Sequence, residues 1–320
     1  MVDSIFDVLQ LKKISGWDRI ARIVCGDQLT IARLHALQSI RAGHEGGYTG
    51  FGWGVWMPGL FHLKMVDIHG TFLLHWGKAA AGPRNPGCLA FHNTVLQRKP
   101  IVTTSLPPFR TCRDLIFVSL YARILHCLLL VSNCSSLDEY VVQDGFSWLL
   151  LQTHARQILE GYANPDKVVE IRWQSKRAGI GKSLQNKPNE TETTFRLVGP
   201  QAFGGDMVFE NAVLFLRDTL LSREFTDAVK AGDSGRVVLV LKVWAFSFRG
   251  NGRTKYAHEM LHLIHNVEHV WPKKTRCVTI NKFTLRNAHI SLGILFLIIG
   301  FSTRLDNQTR GLRWISCRSI

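Results

Sequence analysis

The chain has 320 residues, of which 46% are hydrophobic and 20% are charged, and this composition excludes a globally disordered protein. Its formal net charge of +15 predicts attraction to polyanions, of which nucleic acid is the commonest in a cell. Seven cysteines without a CxxC pair, and an amino terminus without an apolar secretory region, argue against a secreted disulfide scaffold and predict an intracellular protein, nuclear or cytoplasmic.

The hydrophobic pattern predicts a mostly α, α/β fold, in which many helices surround a small sheet near Asp27 that we suggest is ribonuclease-H-like. Residues 21–27 combine β-branched side chains with a following Gly-Asp turn, which predicts a short buried strand. The Gly- and Trp-rich residues 43–59 predict an ordered loop. Helices are predicted on either side of these segments, at 5–14, 30–41 and 61–76.

The middle of the chain is predicted to be irregular at 77–108, where five prolines occur, and helical at 115–131. Arg123 and His126 interrupt the apolar residues of this helix, so we expect it to be buried rather than to span a membrane. The polar residues 174–194 predict an exposed stretch. Further helices are predicted at 137–162, 206–230 and 256–270, and residues 237–248 are compatible with a strand or a helix, of which we favour the helix.

The chain changes character towards its end. We predict a single domain over residues 1–276 and a divergent tail over 277–320, which is apolar first and basic afterwards. The apolar run at 290–301 is shorter than the roughly 20 residues that cross a bilayer, so membrane contact is not expected.

An HExxH sequence, formed by His258, Glu259 and His262, lies on a predicted helix. Its spacing places both imidazoles on one helix face, where they could bind Zn²⁺ while Glu259 activates water. The longer form of the motif continues with a glycine and a third histidine, whereas this chain has His265 and Glu268 at those positions. A zinc-dependent hydrolase is therefore an alternative function, and a solvated or partly buried helix face is the structural alternative.

Asp27 directly follows the predicted strand, where two-metal nucleases of the ribonuclease-H type place their first carboxylate. Such sites need several carboxylates to hold paired Mg²⁺ ions. Candidate companions are Asp67, Asp206, Asp233 and Glu259, and we assign Asp27 and Asp67 as catalytic, with Asp27 as the metal ligand. The structural alternative is that Asp27 caps the helix that follows it.

Two glycine-containing segments are predicted to have no catalytic role. Gly179–Ser183 resembles the end of a phosphate-binding loop, but Lys176 occupies the position of the first glycine that this loop requires. Residues 232–236 predict a turn between two helices.

Residues 24–30 (VCGDQLT) and 61–65 (FHLKM) resemble an uncharacterised fungal family, domain of unknown function 6589. Weaker matches lie at 211–218, 223–225, 232–236 and 256–261, and the resemblance covers roughly residues 21–276. The family has no assigned activity, but its members look like domesticated or decaying transposases. This implies a nucleic-acid-associated domain that is inactive in this form, with a non-enzymatic interaction protein as a further alternative. Family members continue with an acidic DLxxEHxN segment that this chain lacks, so the resemblance implies a truncated carboxyl terminus.

Overall fold

The computed structural model describes most of the chain up to Arg276, and it confirms a mostly helical protein with a small sheet near Asp27. The described residues are 7–8, 10, 15–19, 21–43, 47–78, 82–142, 145–174, 206–273 and 275–276, together with the backbone of two strands at 295–299 and 315–318.

The sheet has the strand order β2-β1-β3-β4. Strand β1 (Arg22–Gly26) and strand β2 (Gly54–Pro58) pair in parallel, with Val24 opposite Trp56. Strand β3 (Leu295–Ile299) pairs antiparallel with β1, and strand β4 (Ile315–Arg318) pairs antiparallel with β3. Helix α1 (Gln28–Arg41) connects β1 to β2, as a parallel pair requires.

Strand β2 corrects the prediction of a loop over 43–59. Val55, Trp56 and Met57 are all buried, and they lie opposite the buried strand β1. Such side chains are typical of a strand that is covered on both faces. A strand of this kind lacks the alternation of polar and apolar residues from which strands are usually predicted. The flanking glycines and tryptophans therefore dominate the local composition, and the prediction of a loop followed from them.

The remaining helices follow β2 in the order α2 to α10. They are α2 (Leu60–Trp76), α3 (Leu89–Val95), α4 (Phe109–Ser132), α5 (Leu137–Val142), α6 (Trp148–Tyr162), α7 (165–174), α8 (Met207–Ala231), α9 (Ser234–Gly250) and α10 (Thr254–His265), which continues as a π-helix over Asn266–Val270.

Two further predictions are corrected among these helices. The single helix predicted at 137–162 is divided into α5 and α6, because Gly145 has a positive φ of 85° and Ser147 caps α6. The irregular segment 77–108 contains the short helix α3. The predicted helix at 5–14, the stretch 174–194 and the tail 277–320 lie largely or wholly outside the described residues.

The chain forms two compact units, Met1–Asp67 with Glu224–Ile320 and Ile68–Arg223. The first unit contains the sheet, and α9 and α10 provide most of its larger core, around Trp244, Phe248 and Met260. The second unit has its own core around Phe72, Leu115 and Phe215. The single domain over 1–276 stays a prediction.

Among the described residues, α4 has the length and apolar composition that would allow a helix to cross a membrane. In its most apolar 18-residue window, 28% of the residues are buried within the protein. Cys112, Leu115 and Ile116 face the core of the second unit, while Val118 and Leu130 are exposed. The absence of membrane contact stays a prediction.

Candidate functional site

The carboxyl ends of β1 and β2 meet at one edge of the sheet because the two strands are parallel. The Gly59 amide, just after β2, donates a hydrogen bond of 2.8 Å to the Gly26 carbonyl at the end of β1. The two segments that leave the sheet therefore begin side by side. In open α/β sheets, ligands bind at this edge.

Asp27 leaves this edge and caps α1. Its Oδ1 accepts a hydrogen bond of 2.8 Å from the Thr30 amide, and its backbone is extended, as is usual for a residue that precedes a helix. The structure thus shows the capping interaction that we gave as the structural alternative. The catalytic and metal-binding assignment of Asp27 stays a prediction.

Two side chains near Asp27 have pKa values that respond to its charge. Burial lowers the pKa of His62 on α2, and the Asp27 carboxylate opposes this effect because it favours the imidazolium form. Burial raises the pKa of Tyr256 on α10, and the charge of Asp27 raises it further. His62 was noted in the sequence only as part of the FHLKM motif, and Tyr256 carried no functional signal.

Asp67 is buried on α2, with only 6% of its surface exposed. Burial lowers the pKa of Arg253, and the charge of Asp67 opposes this effect without cancelling it. In the part of the chain that the structure describes, neither Asp67 nor Asp27 belongs to a group of three or more potential metal ligands. The assignment of Asp67 as catalytic also stays a prediction.

The other predicted carboxylate companions have different partners. Asp206 Oδ1 accepts hydrogen bonds of 3.0 Å from the amides of Val208 and Phe209 at the start of α8. Asp233 caps α9 through the Arg236 amide, at 3.1 Å, in the turn that the sequence predicted. Both carboxylates therefore stabilise helix ends.

The HExxH sequence lies on α10, and only two of its three functional positions come together. Glu259 is buried, whereas His258 and His262 are exposed. Potential ligand atoms of Glu259, His262 and His35 on α1 all lie within 4.8 Å of one another, and this is the metal-competent group that the described residues contain. His258 is not a member of it. Sequence reasoning missed His35 because it lies more than 200 residues from α10 in the chain.

Loss of solvent around the titrating atoms shifts the pKa of all three side chains, including His262, whose side chain as a whole is exposed. It lowers the pKa of His35 to about 4, and the neighbouring His262 acts in the same direction. It lowers the pKa of His262, with a further contribution from His265. It raises the pKa of Glu259, although a hydrogen bond from Gln28 and the charge of His258 oppose this. Both imidazoles thus favour the neutral form.

The comparisons with known proteins support the resemblance found from the motifs. A family model described as Family of unknown function (DUF6589) matches residues 1–289, a longer stretch than the motifs alone indicated. Neither the curated proteins nor the solved structures gave a match to the chain.

Proposed function

Since the chain belongs to the Family of unknown function (DUF6589), for which no activity is given, we propose that it is a transposase-like domain that binds nucleic acid without cleaving it. The proposal places the protein in the nucleus or the cytoplasm, where its ligand occurs.

The main support for this proposal is the positive charge of the chain. The chain has 39 lysines and arginines against 24 aspartates and glutamates. Even if every carboxylate paired with one base, 15 bases would have no acidic partner within the chain. A polyphosphate backbone supplies closely spaced negative charges that match such a surplus, and its binding releases counterions.

Several described acidic side chains pair with bases of the same chain, and the excess of bases remains for an external ligand. Arg172 pairs with Glu210 at 2.7 Å. Arg236 donates to both carboxylate oxygens of Glu224, at 2.5 and 2.7 Å. Lys242 pairs with Glu268 on the π-helix. These pairs are internal, so they do not reduce the net charge that a nucleic acid would meet.

The absence of cleavage is proposed from the local structure of Asp27. A two-metal nuclease needs several carboxylates around one pair of ions. Asp27 uses Oδ1 to cap α1, and within the described residues it does not belong to a group of three potential ligands.

Binding is tested by titrating labelled duplex DNA, single-stranded DNA and RNA with the full chain at two salt concentrations. With four phosphate contacts, raising the salt from about 50 to about 200 mM is expected to weaken binding on the order of a hundredfold. An uncharged polymer of similar size serves as the control. Binding that does not change with salt, or no binding at low salt, would overturn the proposal.

Cleavage is tested separately with Mg²⁺ and with Mn²⁺ on the same nucleic acids. We expect no products from the wild-type chain or from Asp27→Asn, which keeps the cap but removes the negative charge. Products from the wild type that disappear in Asp27→Asn would show an active nuclease and contradict the inactive form proposed here.

A further inference from the structure

His35, Glu259 and His262 form a compact group that joins two helices distant in the chain. His35 comes from α1, two turns after its start, while Glu259 and His262 are one turn apart on α10. The imidazole rings of His35 and His262 are in edge-to-face contact, with centroids 4.4 Å apart and an interplanar angle of 86°. The two rings thus meet between α1 and α10.

The separations within this group are close to those of a metal centre. Tetrahedral Zn²⁺ with bonds of about 2.0–2.2 Å places neighbouring ligand atoms about 3.3–3.5 Å apart. The potential ligand atoms of the three residues all lie within 4.8 Å of one another. Bonding to one ion therefore requires side-chain rotations that shorten the widest of these separations.

The ring of His35 provides an independent indication of a ligand. Its Nε2 atom is buried and has no hydrogen-bond partner among the described residues. Buried polar atoms in proteins are almost always satisfied, and each exception calls for an explanation. A cation bound between the three side chains would supply the missing partner.

Neighbouring side chains orient two of the three ligands. Gln28 Nε2 donates to Glu259 Oε1 over 3.5 Å, and the Asn266 side-chain amide lies 3.3 Å from His262 Nε2. Such contacts with the atoms around a metal centre fix the orientation of its ligands.

We propose that His35, Glu259 and His262 bind a divalent transition-metal ion, Zn²⁺ in the first place, which fastens α1 to α10. Two imidazoles and one carboxylate are a donor set that suits Zn²⁺ and neighbouring first-row ions rather than Mg²⁺ or Ca²⁺. With three protein ligands, a fourth position remains for water. In this site Glu259 is a ligand, whereas the HExxH interpretation makes it the base and uses His258. The site does not depend on the proposed binding of nucleic acid.

The test is zinc titration of the full chain after removal of metals with a chelator, with a chromophoric chelator as competitor. The wild type is expected to bind one Zn²⁺, and His35→Gln and His262→Gln are expected to bind it at least about a hundredfold more weakly, since loss of an outer contact alone costs 10–100-fold. His262 is exposed, so its substitution is not expected to disturb folding. Circular dichroism and thermal melting without metal check the fold of each variant.

Two control variants separate this site from its alternatives. His258→Gln should bind zinc as the wild type does, because His258 lies outside the group. His269→Gln should do the same, although the rings of His269 and His265 are only 5.4 Å apart and form a surface imidazole pair. Loss of zinc in either control would overturn the proposal, as would zinc binding retained in folded His35→Gln or no tight binding by the wild type.

Discussion

Asp27 can be tested as a helix cap independently of its charge, because aspartate and asparagine cap helices about equally well. We expect Asp27→Ala to lower the free energy of unfolding by about 1 kcal/mol, since the Thr30 amide loses its acceptor. Asp27→Asn should stay close to the wild type. Urea denaturation of the three proteins measures this difference. Equal losses in both variants would show that the carboxylate charge, rather than the cap, stabilises the fold.

His92 is expected to make the stability of the protein depend on pH. Burial lowers the pKa of His92 from 6.5 to about 4, and the charge of Arg123, whose Nη2 lies 3.2 Å away, acts in the same direction. Below pH 6.5 the unfolded chain takes up a proton that the folded chain does not bind. The contribution of His92 is therefore fully present above pH 6.5 and is lost as the pH falls towards about 4.

The comparison of wild type with His92→Gln isolates this effect, because the carboxylates that titrate in the same range are common to both proteins. Urea denaturation at a series of pH values should show a smaller loss of stability on acidification in the variant. Parallel curves for the two proteins would contradict the expected pKa of His92.

At the level of single residues, the sequence predicted local roles better than shared sites. The cap at Asp27 and the turn at Asp233 depend on neighbours within four residues. The cap was the structural alternative given for Asp27, and the turn was predicted from residue type and spacing. The group of His35, Glu259 and His262 depends on how α1 packs beside α10, and no sequence spacing encodes that contact. The proximity of His62 to Asp27 likewise depends on packing that no sequence spacing encodes.

Among the elements, strand β1 and helices α1, α2, α8 and α10 were predicted close to their observed bounds, because each has a clear apolar pattern or a capping residue. Helix α9 was the favoured one of two alternatives, since its apolar residues also suit a strand. Strand β2 was missed because its buried residues acquire their conformation from pairing with β1. The division between α5 and α6 was missed because apolar residues lie on both sides of Gly145, whose positive φ a continuous right-handed helix does not allow.

Arg123 explains how the apolar helix α4 accommodates a cation. Its Nη2 donates hydrogen bonds to the Pro86 and Gly87 carbonyls, at 3.2 and 3.1 Å, and its guanidinium lies 4.4 Å from the centroid of the Phe215 ring. The residue that interrupted the apolar pattern in the sequence thus connects α4 to the loop before α3 and to α8. A lysine lacks the extended planar guanidinium, of which one nitrogen donates to the carbonyls while the plane lies over the Phe215 ring.

We therefore expect Arg123→Lys to lower the free energy of unfolding by about 1 kcal/mol, because a single ammonium cannot both donate to the Pro86 and Gly87 carbonyls and lie over the Phe215 ring. Arg110→Lys is the matched control, since Arg110 is exposed on the first turn of the same helix and its substitution should change little. Chemical denaturation measures both. Equal stability of the two variants would show that the Arg123 contacts contribute little.

For the whole molecule, the main electrostatic property is its surplus of positive charge. The paired acids described above neutralise individual bases, but the net charge of +15 remains. Mutual repulsion of like charges destabilises a compact state more than an expanded one. The charge that favours a polyanionic ligand therefore also opposes folding when no such ligand is bound.

This repulsion predicts that added salt stabilises the protein in the absence of ligand. Screening shortens the range of the repulsion, so the melting temperature in about 0.15 M sodium chloride should exceed that in about 0.01 M salt by on the order of 2 °C. Lys78→Glu with Lys99→Glu replaces two exposed bases and lowers the net charge by four, from +15 to +11. This double variant should melt higher than the wild type at low salt and respond less to added salt, as measured by circular dichroism. A melting temperature that falls with salt in both proteins would show that internal ion pairs, rather than net repulsion, dominate the electrostatics of the fold.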